Sequence, residues 1–199
     1  NRSADRESDY LVAGLTATLI ERLGVMPTLT VLPRSLVANF TGSDEEPRNL
    51  GRRLAADVVL SGDITRAAER LHVTAQLLDT ASGRTLWSAS YEQPANALLF
   101  VEEQIAQAIV NDGVRLRLNA EQRRRLVRLD TDDPLVFDAY LRAVHLCEQE
   151  TEDAYLEARA VLGPALERDP HFAPGHVQMA ATYAVMAVDG LQRPTDAWP

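Results

Sequence analysis

The 199-residue chain contains no lysine, and its 20 basic residues are all arginine. That absence removes a phosphate-loop lysine, a Schiff-base lysine and the ATP-binding lysine of kinases. Cysteine is almost missing as well. Cys147 stands alone, which excludes an internal disulfide framework and any multi-cysteine zinc site. Aromatic residues make up 6% of the chain, and no apolar run approaches the roughly 18 residues of a membrane span. The first residues do not read as a signal peptide, and no G-x-G-x-x-G string occurs. Positive charge is in deficit. A net charge of −9 and a pI of about 4.9 argue against broad nucleic-acid or anionic-membrane binding. What remains is a soluble, acidic, globular chain whose composition alone names no function.

The pattern along the chain predicts an α+β fold. Leu11, Leu15 and Leu19 recur every four residues, widened by Val12 and Leu23, and predict an amphipathic helix over 9–23 that Gly24 stops. A short strand follows over Thr28–Leu32, ended by Pro33. Asp44, Glu45, Glu46 and Pro47 open a second helix, where acidic residues suit the positive end of the helix dipole. Val58, Val59 and Leu60 form a continuous run, expected to be buried on both faces. Leu71, Val73, Ala75 and Leu77 alternate with polar residues, and Thr85, Trp87, Ala89 and Tyr91 share one face of a further strand. The connections are hairpin-sized, with Gly83 in the second, so these three strands read as an antiparallel meander within a small mixed sheet. Val101, Ile105 and Ile109 place a long helix over about 96–112. Beyond the break at Asp130–Pro134 the pattern is helical throughout, in segments 135–149, 152–168 and 173–188. The expected organisation is 1–113 as an α/β domain, 114–133 as an arginine-rich helix and acidic linker, and 134–199 as helical hairpins.

The helical half resembles tetratricopeptide repeats, whose 34-residue unit packs two antiparallel helices. Ala158, Leu162, Ala165 and Pro170 match one repeat, and His176, Met179, Ala180 and Tyr183 match the next. Three features depart from that pattern: His176 replaces the usual tryptophan, the first helix fits only with a turn of about three residues, and Pro164 should kink its helix. The first half resembles the TolB-like (FlgO-like) amino-terminal domain of bacterial signalling proteins. Five ordered strings carry this: Tyr10-Leu-Val-Ala-Gly-Leu-Thr16, Gly51-Arg-Arg-Leu-Ala-Ala-Asp-Val-Val-Leu-Ser-Gly62, Val73-Thr-Ala-Gln-Leu-Leu-Asp79, Ser82-Gly-Arg-Thr-Leu-Trp87 and Glu102-Glu-Gln-Ile-Ala-Gln-Ala-Ile109. The resemblance implies an output domain elsewhere in a longer protein: a winged-helix DNA-binding domain, a class III adenylate cyclase or a serine/threonine kinase. It also implies a first strand lying before Asn1 and further repeats after Pro199. The compartment is then the bacterial cytoplasm, or the periplasm if a membrane span precedes the fragment.

The residues that could carry chemistry read as structural. His72 sits on the polar face of a strand. His171 and His176 are five residues apart with Pro174 between them, so they do not form an i, i+4 metal pair. Cys147 has no histidine motif around it and reads as a small hydrophobe. Asp130, Asp132 and Asp133 lack the glycine and closing glutamate of a calcium loop, and read as a linker and helix cap. Adjacent Glu102 and Glu103 diverge by about 100° around a helix and do not face one substrate. Ser61-Gly62 lacks a nucleophile elbow. Arg115, Arg117, Arg123, Arg124, Arg125 and Arg128 cluster without interleaved aromatics, which favours a solvated helix over a nucleic-acid patch.

The chain is therefore expected to be a non-enzymatic regulatory and protein-interaction region, with no cofactor, no metal and no catalytic residue. A protein or peptide partner would bind the helical repeats, with neither nucleic-acid contact nor membrane insertion, and with self-association through the truncated ends. By the repeat register the partner surface comprises Tyr140, Val144, Cys147, Val177, Ala181 and Ala184. Met179, Tyr183 and Met186 would form an apolar face without a neighbour. The alternative is a small-molecule sensor, which needs convergent polar groups in an apolar cleft.

Overall fold

The computed structural model describes residues 9–43, 45–67, 69–94, 97–114, 119, 122 and 131–191. The α+β class is borne out, and the chain divides into two units: Asn1–Ser8 with Leu15–Arg128, and Asp9–Gly14 with Leu129–Pro199. Helix α1 (Asp9–Gly24) contributes its first six residues to the second unit and the remainder to the first.

In the first unit, β1 (Val58–Ala67), β2 (Arg70–Asp79) and β3 (Thr85–Pro94) form a three-stranded antiparallel sheet in that order. Central β2 carries the alternation seen in the sequence: Leu71, Val73, Ala75 and Leu77 are all buried, while His72 and Gln76 are exposed. Helix α4 (Leu98–Ala108) lies on β2 and β3 and buries Val101, Ile105 and Ala106. Full burial of each large side chain contributes about 1.5–3 kcal/mol. Gly62 pairs with Ala75, and a Cβ there would stand 2.1 Å from the Thr74 carbonyl oxygen, so β1 has no room for a side chain at that point. The β2–β3 turn closes on Gly83, at φ +74°. Asp79 Oδ1 accepts from the Ser82 N–H at 2.7 Å and the Ser82 hydroxyl at 2.5 Å.

Several local expectations change. Thr28–Leu32 joins no ladder, and the sheet among the described residues is antiparallel rather than mixed. An alternating segment becomes a strand only when a neighbour takes its backbone groups. Val58, Val59 and Leu60 are half-buried because β1 is an edge strand. Helix α2 (Arg34–Val37) is a single turn running into a 3₁₀ turn at Ala38–Phe40. Helix α3 (Pro47–Arg53) starts at its proline, so the acids precede it, and Glu45 binds Arg53 Nη1 at 2.6 Å. After Ala108, α4 widens into a π turn over Ile109–Gly113, still burying Ile109 and Val110.

The second unit follows its sequence pattern closely. Helices α5 (Pro134–Cys147), α6 (Glu152–Arg168) and α7 (Ala173–Val188) pack against one another. Asp133 caps α5 by accepting from the Leu135 N–H at 2.9 Å, and Thr151 caps α6 by accepting from the Ala154 N–H at 3.3 Å. Arg168, at the end of α6, pairs with Asp133; that ion pair chiefly holds the Asp133 carboxyl below its usual range. Small residues line the α6 contact, with Ala158 and Leu162 fully buried. Pro164 lies within α6, exposed, and the helix continues past it to Arg168. The start of α1 packs here as well. A Cβ on Gly14 would stand 2.7 Å from the Leu141 side chain, so only glycine permits that approach.

Candidate functional site

The six residues expected to form one partner surface separate into two groups. Tyr140 and Val144 are 4% exposed and belong to the core of the second unit. Tyr140 meets Phe172 edge-on, with centroids 5.4 Å apart. Neither is available to a partner, because α5 buries them in the core of this unit and not on its surface. Cys147 is half-buried, with Sγ 3.3 Å from Thr182 Oγ1. Thr182 spends its one hydroxyl proton on the Gln178 carbonyl at 2.8 Å, so the thiol is the donor and the cysteine is a packing group.

The other three lie on α7 and face outward. Val177 is 70% exposed, Ala181 is exposed and Ala184 is half-buried. Val185 and Val188, at 38% and 85% exposure, extend this surface at helical spacing. The sequence placed the uncovered face elsewhere on this helix. Met186 is instead buried at 2%, and Met179 and Tyr183 are half-buried. Tyr183 carries the Arg159 guanidinium over its ring at 4.1 Å and accepts from Arg159 Nη2 at 2.8 Å. The outward face of α7 is thus a stripe of valine and alanine on a helix with no Asp, Glu or Arg from Ala173 to Val188.

Two polar clusters elsewhere are structural. Tyr10 donates to Asp138 Oδ1 at 2.6 Å, and Arg142 donates to Asp138 Oδ2 at 2.8 Å while lying 4.5 Å over the Tyr10 ring. Burial, then the bond to Asp138, pushes the Tyr10 hydroxyl up to about 12. In the first unit Arg22 meets fully buried Glu102 at 2.8 Å, which ties α1 to α4.

For a small-molecule sensor, one feature among the described residues is an open depression of about 420 Å³ lined by Asp79, Ser82, Arg84, Leu86, Asp112 and Gly113. Its Asp79 already serves the β2–β3 turn, with the Ser82 bonds holding its carboxyl below the usual range. No group of three or more potential metal ligands occurs among the described residues. His176 Nε2 lies 2.9 Å from the Pro170 carbonyl, and His72 Nε2 lies 3.5 Å from Ser90 Oγ. Among the described residues no helix is long and apolar enough to cross a membrane. The six clustered arginines fall outside the described residues.

Fold and surface together describe a two-unit α+β chain with an apolar outward face on α7. No family model matches the chain. It is similar to a protein of Rhizobium meliloti (strain 1021) named "Putative adenylate cyclase 3", with 29% identity over 180 residues. The alignment takes in 90% of this chain but 30% of that protein, so the chain spans about a third of its relative's length. This match supports a signalling context. It also corrects the expectation that the chain has no enzymatic affiliation, since its relative carries the name of an enzyme. The missing lysine, glycine-rich loop and metal-ligand spacing exclude particular chemistries; they do not exclude membership of an enzyme.

Proposed function

We propose that this chain is the regulatory, partner-binding region of an adenylate-cyclase-type signalling protein. The observation that carries this reading is the alignment of 90% of the chain with a protein named for that activity. In this reading the first unit is a TolB-like domain and the second a pair of tetratricopeptide-type hairpins. The antiparallel meander and the packed helices α5, α6 and α7 support it. The outward face of α7 is the surface through which a protein partner acts on the output of the whole molecule, because it is apolar, uncharged and uncovered by the described residues.

The test is cyclic AMP production by the whole protein carrying Val177→Asp. Val177 is 70% exposed, so the change should leave the fold intact. Coupling between a partner surface and an output is typically about fivefold or more, and a change of that size is expected. Unchanged cyclic AMP production by a folded variant would overturn the proposal.

A further inference from the structure

We propose that the depression between the β2–β3 turn and the π turn after α4 binds a free α-amino acid as its zwitterion. Its lining residues all belong to the first unit, and the α7 face plays no part in it. One wall is the β2–β3 turn, which is held by its own bonds. Besides the two that Ser82 donates to Asp79 Oδ1, the Gly83 N–H donates to the Asp79 carbonyl and the Asp79 N–H to the Arg84 carbonyl, each at 2.9 Å. The other wall is the π turn at Ile109–Gly113, closed by the Val114 N–H on the Ile109 carbonyl at 2.7 Å. Such a widening of a helix is rare and occurs frequently at functional sites. Here it brings Asp112 and Gly113 to the depression. A Cβ on Gly113 would stand 2.7 Å from the Leu77 side chain, so this close approach to β2 requires glycine.

The free groups select the ligand. Among the described residues, the Arg84 guanidinium and the Asp112 carboxylate make no hydrogen bond or ion pair, either with each other or with a neighbour. Asp79 commits Oδ1 to Ser82 and keeps Oδ2 open, while the Ser82 hydroxyl proton is already spent. One forked donor and two carboxylate acceptors therefore line a single depression, with Leu86, 43% exposed, as its apolar surface. An ammonium supplies three N–H donors for the acceptors, and a carboxylate accepts from both arms of a guanidinium. An α-amino acid carries both heads on one carbon, and an aliphatic side chain then has Leu86 to cover. A lone anion would meet two carboxylates, and a lone cation would leave Arg84 unpaired. The volume of about 420 Å³ falls within the range of about 300–1,000 Å³ usual for small-molecule sites. Because the depression is open, water screens each charge pair, and dissociation on the order of 1 mM is expected.

Heteronuclear NMR of the full chain titrated with L-leucine tests the site. Saturable shifts are expected at the Arg84 Nε–H and the Gly113 amide, with half-saturation on the order of 1 mM, and none at the buried residues of α5. Isocaproate is leucine without its ammonium, and isoamylamine is leucine without its carboxylate. Each should bind at least about tenfold more weakly than leucine. Arg84→Gln and Asp112→Ser, both at exposed positions, should leave circular dichroism unchanged and weaken leucine binding by about tenfold. No saturable shift up to about 20 mM leucine, equal binding of leucine and either half-ligand, or undiminished leucine binding by the two folded variants would each overturn the proposal.

Discussion

Glu102→Ala tests how the first unit holds α1 against α4. Glu102 is fully buried and Arg22 is 11% exposed, with Nε and Oε1 2.8 Å apart. Removing the carboxylate takes a 2.8 Å partner from a guanidinium that can hydrate only at its edge. Breaking a buried ion pair in this way costs about 3–5 kcal/mol, and the partial exposure of Arg22 favours the lower end. Against a typical total of about 5–15 kcal/mol, that is a large share of the unit's stability. Each kcal/mol shifts the melting temperature of a chain of this size by roughly 2–4 °C, so a fall of at least about 6 °C is expected. Trp87 of β3 reports this unit, and Trp198→Phe would remove the second indole from the signal. Urea unfolding followed by Trp87 emission gives the free energy directly. The double variant Arg22→Met/Glu102→Leu should recover to within about 1 kcal/mol of the parent, since apolar replacements of buried ion pairs are often neutral or better. A loss below about 1 kcal/mol for Glu102→Ala would refute the view that this pair is a structural tie.

Gly62→Ala should destabilise the first unit by about 1–3 kcal/mol or more in the same assay, because the new methyl meets the Thr74 carbonyl oxygen at 2.1 Å. Tyr140→Ala should cost the second unit about 3–5 kcal/mol, whereas Val177→Asp should stay within about 0.5 kcal/mol of the parent; thermal melts of the α-helical signal separate core from surface. Absorbance at 295 nm should show Tyr10 ionising near 12, and Asp138→Asn should lower that value without returning it fully to normal, because burial is the larger cause. A raised tyrosine pKa means that its contribution to stability is complete below the unfolded value of 10.0 and is lost as pH rises toward about 12. Asp133 has the opposite sign: its lowered pKa gives stability that is present above the ordinary 3.8 and lost as pH falls below it, and Asp133→Asn should remove that acid sensitivity.

Period and punctuation made most of this fold legible. The alternation at Leu71–Leu77 and the caps at Asp133 and Thr151 signalled their elements, because each depends on neighbours close in sequence. Thr28–Leu32 and Val58–Leu60 depart from what their patterns predict, since pairing and burial depend on which strands sit alongside. The site divided in the same way. Val177 and Ala181 stand outward on α7, whereas Tyr140 and Val144 are buried, Tyr140 edge-on against Phe172, a contact that no local pattern encodes. Tyr10–Asp138 spans 128 positions. Only the folded chain brings those two side chains together.

Amide hydrogen exchange over residues 177–188 tests the central claim most directly. It compares the whole protein under working conditions with this chain at low concentration. The helix is the same in both, so any difference reports what covers its outward face. If that face is a partner surface, exchange there should slow by at least about tenfold in the whole protein, while buried β2 amides keep the same rate in both samples. Equal exchange along α7 in the two samples would contradict the account.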